Sequence, residues 1–180
     1  MTNLSEIYNK GVRIFIIGPM ASGKSMLGRK LSEHLNLPFI DTDKEIEKRA
    51  GAEVSWIFEK EGEKGFRSRE SIVLKECSLN NQFIISTGGG TILKKENREI
   101  MKDRGKVIYL EAPIEVQLSR TLNDKSRPLI DNKDKKEVLE RLHIERTHIY
   151  EQLSDIKIDY KERTKDSLLF TALKCMGIKT

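Results

Sequence analysis

The run Gly18-Pro19-Met20-Ala21-Ser22-Gly23-Lys24-Ser25 constrains this 180-residue chain more than any other stretch. It fits G-x-x-x-x-G-K-[ST] at every fixed position. A β-rich segment, residues 12–17, precedes it, and a helical pattern of Met26, Leu27, Leu31 and Leu35 follows. Strand, glycine-rich turn and helix in that order predict a backbone whose N–H groups point inward at an anionic chain, with the positive end of a helix behind them. Lys24 then reaches the β- and γ-phosphates of a nucleoside triphosphate, and the Ser25 hydroxyl is placed to ligate Mg²⁺.

The rest of the sequence predicts how that unit is repeated. Pro38 breaks the first helix, and Phe39-Ile40 reads as a short strand ending in Asp41-Thr42-Asp43. Helical patterns follow near 44–50 and 53–60, separated by Gly51, then a turn-rich break over 61–65 and a longer helix from Phe66 to about Leu79. Residues 83–86 form a third strand running into Gly88-Gly89-Gly90, a charged helix spans about 94–103, and residues 106–110 form a fourth strand. Pro113 opens the next helix, where its missing N–H is harmless. A polar loop over about 123–135 precedes a helix at about 136–152, a fifth strand at 156–158 and a closing helix from about 166. Strands alternating with helices imply α/β architecture: one domain over 1–180, in three layers around a five-stranded parallel sheet. No internal repeat or linker divides it.

Composition narrows the partners. Lys and Arg number 33 against 28 Asp and Glu, a net charge of +5, but the two signs are interleaved, with no basic stripe of the kind a nucleic-acid surface needs. No run approaches the ~18 apolar residues of a membrane span. Cys77 and Cys175 are far apart and fit no metal spacing, which reads as two thiols in a reducing, cytoplasmic setting. His34, His143 and His148 form no acid–base or metal arrangement, and Trp56, Ile57 and Phe58 read as a packing patch in a small helical subdomain.

Three further features carry chemistry. Asp41 and Asp43, at i and i+2 beyond a strand, project their carboxylates into one cleft if the backbone stays extended. Asp41 is the candidate for the Mg²⁺ shell and Asp43 faces an acceptor. The acids also suit a cap for the helix that follows. Gly88-Gly89-Gly90, at the end of a strand, offers exposed backbone N–H groups to a closely approaching ligand. Arg127, in the polar loop, reads as a lid arginine closing over phosphates. Arg67, with Glu70 at i+3, and Arg146, inside a helix, read on their own as solvated surface residues.

Taken together, the segments GPMASGKS, DTDKEIEKRAG, EGEKGFR-x-x-E, STGGG, YLEAP, SRT and RPLI resemble the shikimate kinase family over nearly the whole chain. The resemblance implies a nucleoside monophosphate kinase-like P-loop NTPase fold, with substrate-binding helices at about 41–79 and a lid at about 123–135. It implies ATP-dependent phosphorylation of the 3-hydroxyl of shikimate, with Mg²⁺, by a cytoplasmic monomer. By the same resemblance Gly18, Ala21, Ser22, Gly23, Lys24, Ser25 and Met26 hold the triphosphate, Arg120 packs on adenine, and Arg127 serves the lid. Asp43, Arg67, Gly88, Gly89, Gly90 and Arg146 match the shikimate-binding positions; Lys24, Asp43 and Arg127 carry the catalysis, and Ser25 and Asp41 the metal. Met26, Ile130 and His148 depart from the residues frequent at their positions. Rival readings are a small kinase for gluconate or a nucleoside monophosphate, a GTPase-like switch and an ATP-dependent nucleic-acid module.

Overall fold

The computed structural model describes residues 13–79, 82–121, 134–160 and 168–178. Residues 1–12, 80–81, 122–133, 161–167 and 179–180 lie outside it. So do Arg127 and all of the expected lid up to residue 133.

Five strands, β1 (Arg13–Ile17), β2 (Phe39–Asp41), β3 (Ile84–Ser86), β4 (Gly105–Leu110) and β5 (Ile156–Ile158), form one sheet in the order β2-β3-β1-β4-β5. Every pairing is parallel, with Ile14 opposite Ile84 on one side of β1 and Lys106 on the other. Parallel sheets need both faces covered, and β1 shows how the sequence supplies this. Ile14 and Ile16 pack on one face with α1 (Lys24–Leu35) and α7 (Leu168–Cys175), through Leu27, Leu31, Ala172 and Leu173. Phe15 and Ile17 pack on the other, against α2 (Thr42–Ala50), α3 (Val54–Cys77), α4 (Lys95–Arg104) and α6 (Lys135–Leu153). A further helix, α5 (Ile114–Thr121), leans on α6 through Leu118 and Leu139. Among the described residues no helix is long and apolar enough to cross a membrane.

Two expectations are corrected. The sequence predicts a break over 61–65, but α3 is interrupted at one residue only: Gly62, at φ 67° and ψ 179°, lies between two helical halves. Glu61 and Arg69 join across the kink by two hydrogen bonds of 2.7 and 2.8 Å. Trp56 is not a packing residue; it is half exposed, while Ile57 beside it is fully buried and Phe58 packs against Phe66 with ring centroids 4.6 Å apart and planes tilted by 35°. A helix places its core face three or four residues apart, so three successive apolar residues cannot all point inward.

Candidate active site

The phosphate loop opens between β1 and α1, with Gly23 at φ 100° as the N-cap. Lys24 folds back so that its Nζ donates to the carbonyls of Gly18 and Pro19, at 3.0 and 2.7 Å. Ser25 Oγ donates to Asp41 Oδ2 at 2.5 Å, which brings the expected metal pair into contact. Asp41 Oδ1 meanwhile accepts from the N–H groups of Asp43 and Lys44, capping α2. The helix therefore begins at Thr42, and extended geometry does not align the two acids. The cap does: it turns the chain so that Asp43, in the first turn of α2, faces the same cleft as Asp41.

Two cavities meet here. One, of about 240 Å³, is lined by Asp43, Phe58, Phe66, Arg67, Glu70, Gly88–Gly90 and Arg146 among others. The second, about 520 Å³, runs along the phosphate loop past Ala21, Gly23, Lys24, Ser25, Met26 and Arg120. Arg120 donates to the Ala21 carbonyl at 2.7 Å. Asp43 lies on the wall they share, together with Met20, Ser25, Asp41 and Gly89.

The two arginines expected on the acceptor side are buried, at 8% exposure for Arg67 and 6% for Arg146, which overturns the solvated reading of each. Arg67 is clamped by carboxylates: Nη1 donates to Glu70 Oε2 at 2.9 Å, and Nε and Nη2 donate to Glu63 Oε1 at 3.3 and 3.1 Å. Those acids raise its pKa against the opposing effect of burial, which is the larger single influence and lowers it. Arg146 has a different setting. Its Nε is buried without a hydrogen bond, and Glu145 Oε2 stands 3.5 Å away.

Asp43 keeps some exposed surface, but its Oδ1 has none and no hydrogen-bond partner. Desolvation, then repulsion from Glu70 and Asp41, pushes its carboxyl up to about 7, against the pull of Lys24 and Arg67. A carboxyl poised near neutrality on the wall between two cavities can hold or release a proton where an acceptor hydroxyl meets a phosphate.

The glycine run contributes mainly room. A Cβ on Gly88 would stand 2.6 Å from Glu70 Oε1 and 2.8 Å from Asp43 Oδ1, and one on Gly90 would overlap the Arg67 guanidinium. The Gly88 N–H, expected to face a ligand, donates instead to Thr42 Oγ1 at 3.2 Å.

Sequence reasoning missed Glu70 and Tyr150 as parts of the site, yet both leave a signal. Phe66, Glu70, Val73 and Cys77 fall on one helical stripe, as do Leu139, Leu142, Arg146, Tyr150 and Leu153. A charged residue inside such a stripe is carried into the interior, where it requires partners.

This sheet order, phosphate loop and second, arginine-lined cavity define a small P-loop kinase. Residues 20–176 match the shikimate kinase family. Among relatives, the chain is 45% identical to a shikimate kinase of Buchnera aphidicola from Acyrthosiphon pisum, over 91% of this chain and 95% of that protein. It is 49% identical to the one from Schizaphis graminum, over 89% and 93%. The solved shikimate kinase of Acinetobacter baumannii in complex with shikimate superposes with a TM-score of 0.87 at 41% identity, covering 91% of each chain. The chain belongs to the shikimate kinase family.

Proposed function

We propose that this chain transfers the γ-phosphoryl group of ATP to the 3-hydroxyl of shikimate. The observation that carries the reading is the division of residues between the cavities. Arg67 and Arg146 line only the smaller cavity, Lys24 and Arg120 only the larger, and Asp43 stands on their common wall. Shikimate is a carboxylate with three hydroxyls. Two guanidinium groups suit the carboxylate, and Asp43 suits a hydroxyl that must face the phosphate side.

Ser25 Oγ and Asp41 Oδ2 are hard oxygens already in contact beside the phosphate loop, and they fit Mg²⁺, which takes one or two protein ligands alongside phosphate oxygens. When bound, the ion neutralises charge on the phosphate chain. The chain's own residues do the rest. Lys24 leaves the Gly18 and Pro19 carbonyls for phosphate oxygens, and the loop N–H groups cradle the same charge. Arg67 and Arg146 fix the acid so that its hydroxyl points at the shared wall, and Asp43 orients that hydroxyl and accepts its proton as the phosphoryl group leaves ADP. Because such transition states are loose, positioning and charge neutralisation supply most of the acceleration. Arg127 and Arg120 are assigned to the phosphates and to adenine on their match to the family segments.

ADP release, measured with shikimate, gluconate, a nucleoside monophosphate or no acceptor, tests the reading. Shikimate alone should stimulate release strongly. Stimulation by gluconate or a monophosphate instead of shikimate overturns it.

A further inference from the structure

Arg67 and Arg146 share one cavity but are held by different means. Arg67 has two carboxylates, whereas Arg146 Nε has no hydrogen bond and faces the half-exposed Glu145. One turn further along the same face of α6 comes Tyr150, 2% exposed. It lines one small cavity together with Arg146, and its hydroxyl donates to the Gly89 carbonyl at 2.5 Å. Its ring stacks on Tyr109 of β4, with centroids 5.1 Å apart and planes 19° from parallel, so the phenol is fixed by the sheet itself. Gly89 borders both cavities and packs against the phosphate loop; a Cβ there would lie 3.4 Å from both the Gly18 carbonyl oxygen and the Met20 nitrogen.

We propose that Tyr150 is a positioning residue for the acceptor, setting Arg146 in register with the glycine loop and, through Gly89, with the phosphate loop. Tyr150 lines neither of the two main cavities. It acts through a residue that lines the smaller one: with the phenol in place, the Arg146 fork presents one orientation to a carboxylate, and without it the guanidinium samples several. The lost hydroxyl should therefore weaken binding of the acid far more than binding of the nucleotide. This rests on shikimate as the acceptor, and the experiment separates the two.

Dissociation constants for shikimate and for ADP are measured calorimetrically on four proteins: wild type, Tyr150→Phe, Arg146→Ala and the double variant. Phenylalanine keeps the stacked ring and removes only the oxygen. Tyr150→Phe should weaken shikimate about three- to tenfold, the value of one neutral hydrogen bond, and leave ADP within about twofold. In the Arg146→Ala background the same change should cost less than about twofold, because residues acting through one another are non-additive. An equal factor in both backgrounds, no loss in the single variant, or equal losses for shikimate and ADP overturns the proposal. A wild-type protein that does not bind shikimate overturns the function assigned above instead, and this inference with it.

Discussion

Glu70 has no exposed surface and holds the Arg67 guanidinium at 2.9 Å, three residues back on α3; its other oxygen accepts the Thr91 hydroxyl at 2.6 Å. Because that carboxylate is buried, Arg67 serves the fold as well as its proposed acceptor, and Arg67 and Arg146 should respond differently to truncation. Each hydrogen bond to a charged group is worth roughly 1.5–3 kcal/mol, so Arg67→Ala and Arg146→Ala should each weaken shikimate by about one to two decades with ADP affinity retained. Only Arg67→Ala strands a buried carboxylate, at a cost of roughly 3–5 kcal/mol in unfolding free energy. Calorimetry and urea melts check both. Equal stability of the two variants would show that Glu70 tolerates the loss of its cation.

The kink in α3 gives a test free of packing effects. Gly62 adopts φ 67° and ψ 179°, and no atom would lie within 4 Å of a Cβ built there. That backbone region is nearly closed to residues with a side chain, at a cost of roughly 1–3 kcal/mol. Gly62→Ala should lose about that much stability in a urea melt. The half of α3 before the kink carries Val54 and Phe58 to the acceptor cavity, and the half after it carries Phe66, Arg67 and Glu70. A melt at the wild-type midpoint would show that the helix straightens at no cost.

Much of this was legible in the chain because the signals were local. The phosphate loop declares itself by its spacing, the five strands by short β-branched runs, and the end of α2 by Gly51. What stayed hidden depends on neighbours distant in sequence. Arg146 looks like a surface residue until the apolar stripe that continues through Tyr150 and Leu153 is laid against the sheet. The Gly88 N–H looks available until Thr42, 46 residues earlier, is seen to accept it. Asp41 and Asp43 converge as expected, but by a helix cap rather than by strand periodicity. Capping was read from the sequence as a side role; it is what sets the geometry.

Arg127 belongs to a segment matching the family but lies outside the described residues. An arginine delivered to a transferring phosphoryl group contributes roughly 10³–10⁵-fold. Arg127→Ala should therefore lose at least about two decades in kcat, with a smaller change in shikimate affinity. Steady-state kinetics read both, and near-normal turnover would remove Arg127 from the mechanism.

Asp43 carries the last prediction, in which charge state and stability are linked. In the folded protein its carboxyl keeps a proton up to about pH 7, because burial and then the charges of Glu70 and Asp41 disfavour the anion. In the unfolded chain the proton leaves near the ordinary value of 3.8. Between those limits the folded state binds more protons than the unfolded one, so this group makes stability fall as pH rises from about 4 to 7, and contributes no further slope above that. The steepest slope from one such group is about 1.4 kcal/mol per pH unit. Asp43→Asn has nothing to ionise. Relative to wild type it should gain stability across that window, by a few kcal/mol in all, on the order set by the linkage. The same substitution removes the group proposed above to orient the acceptor hydroxyl, so turnover should drop about 10²-fold while ADP still binds. Urea melts in chelator at pH 4, 5.5, 7 and 8, with kinetics on the same preparations, give both readings. Parallel stability curves for the two proteins would show that Asp43 is ionised throughout, and an unchanged turnover would take it out of the acceptor's path.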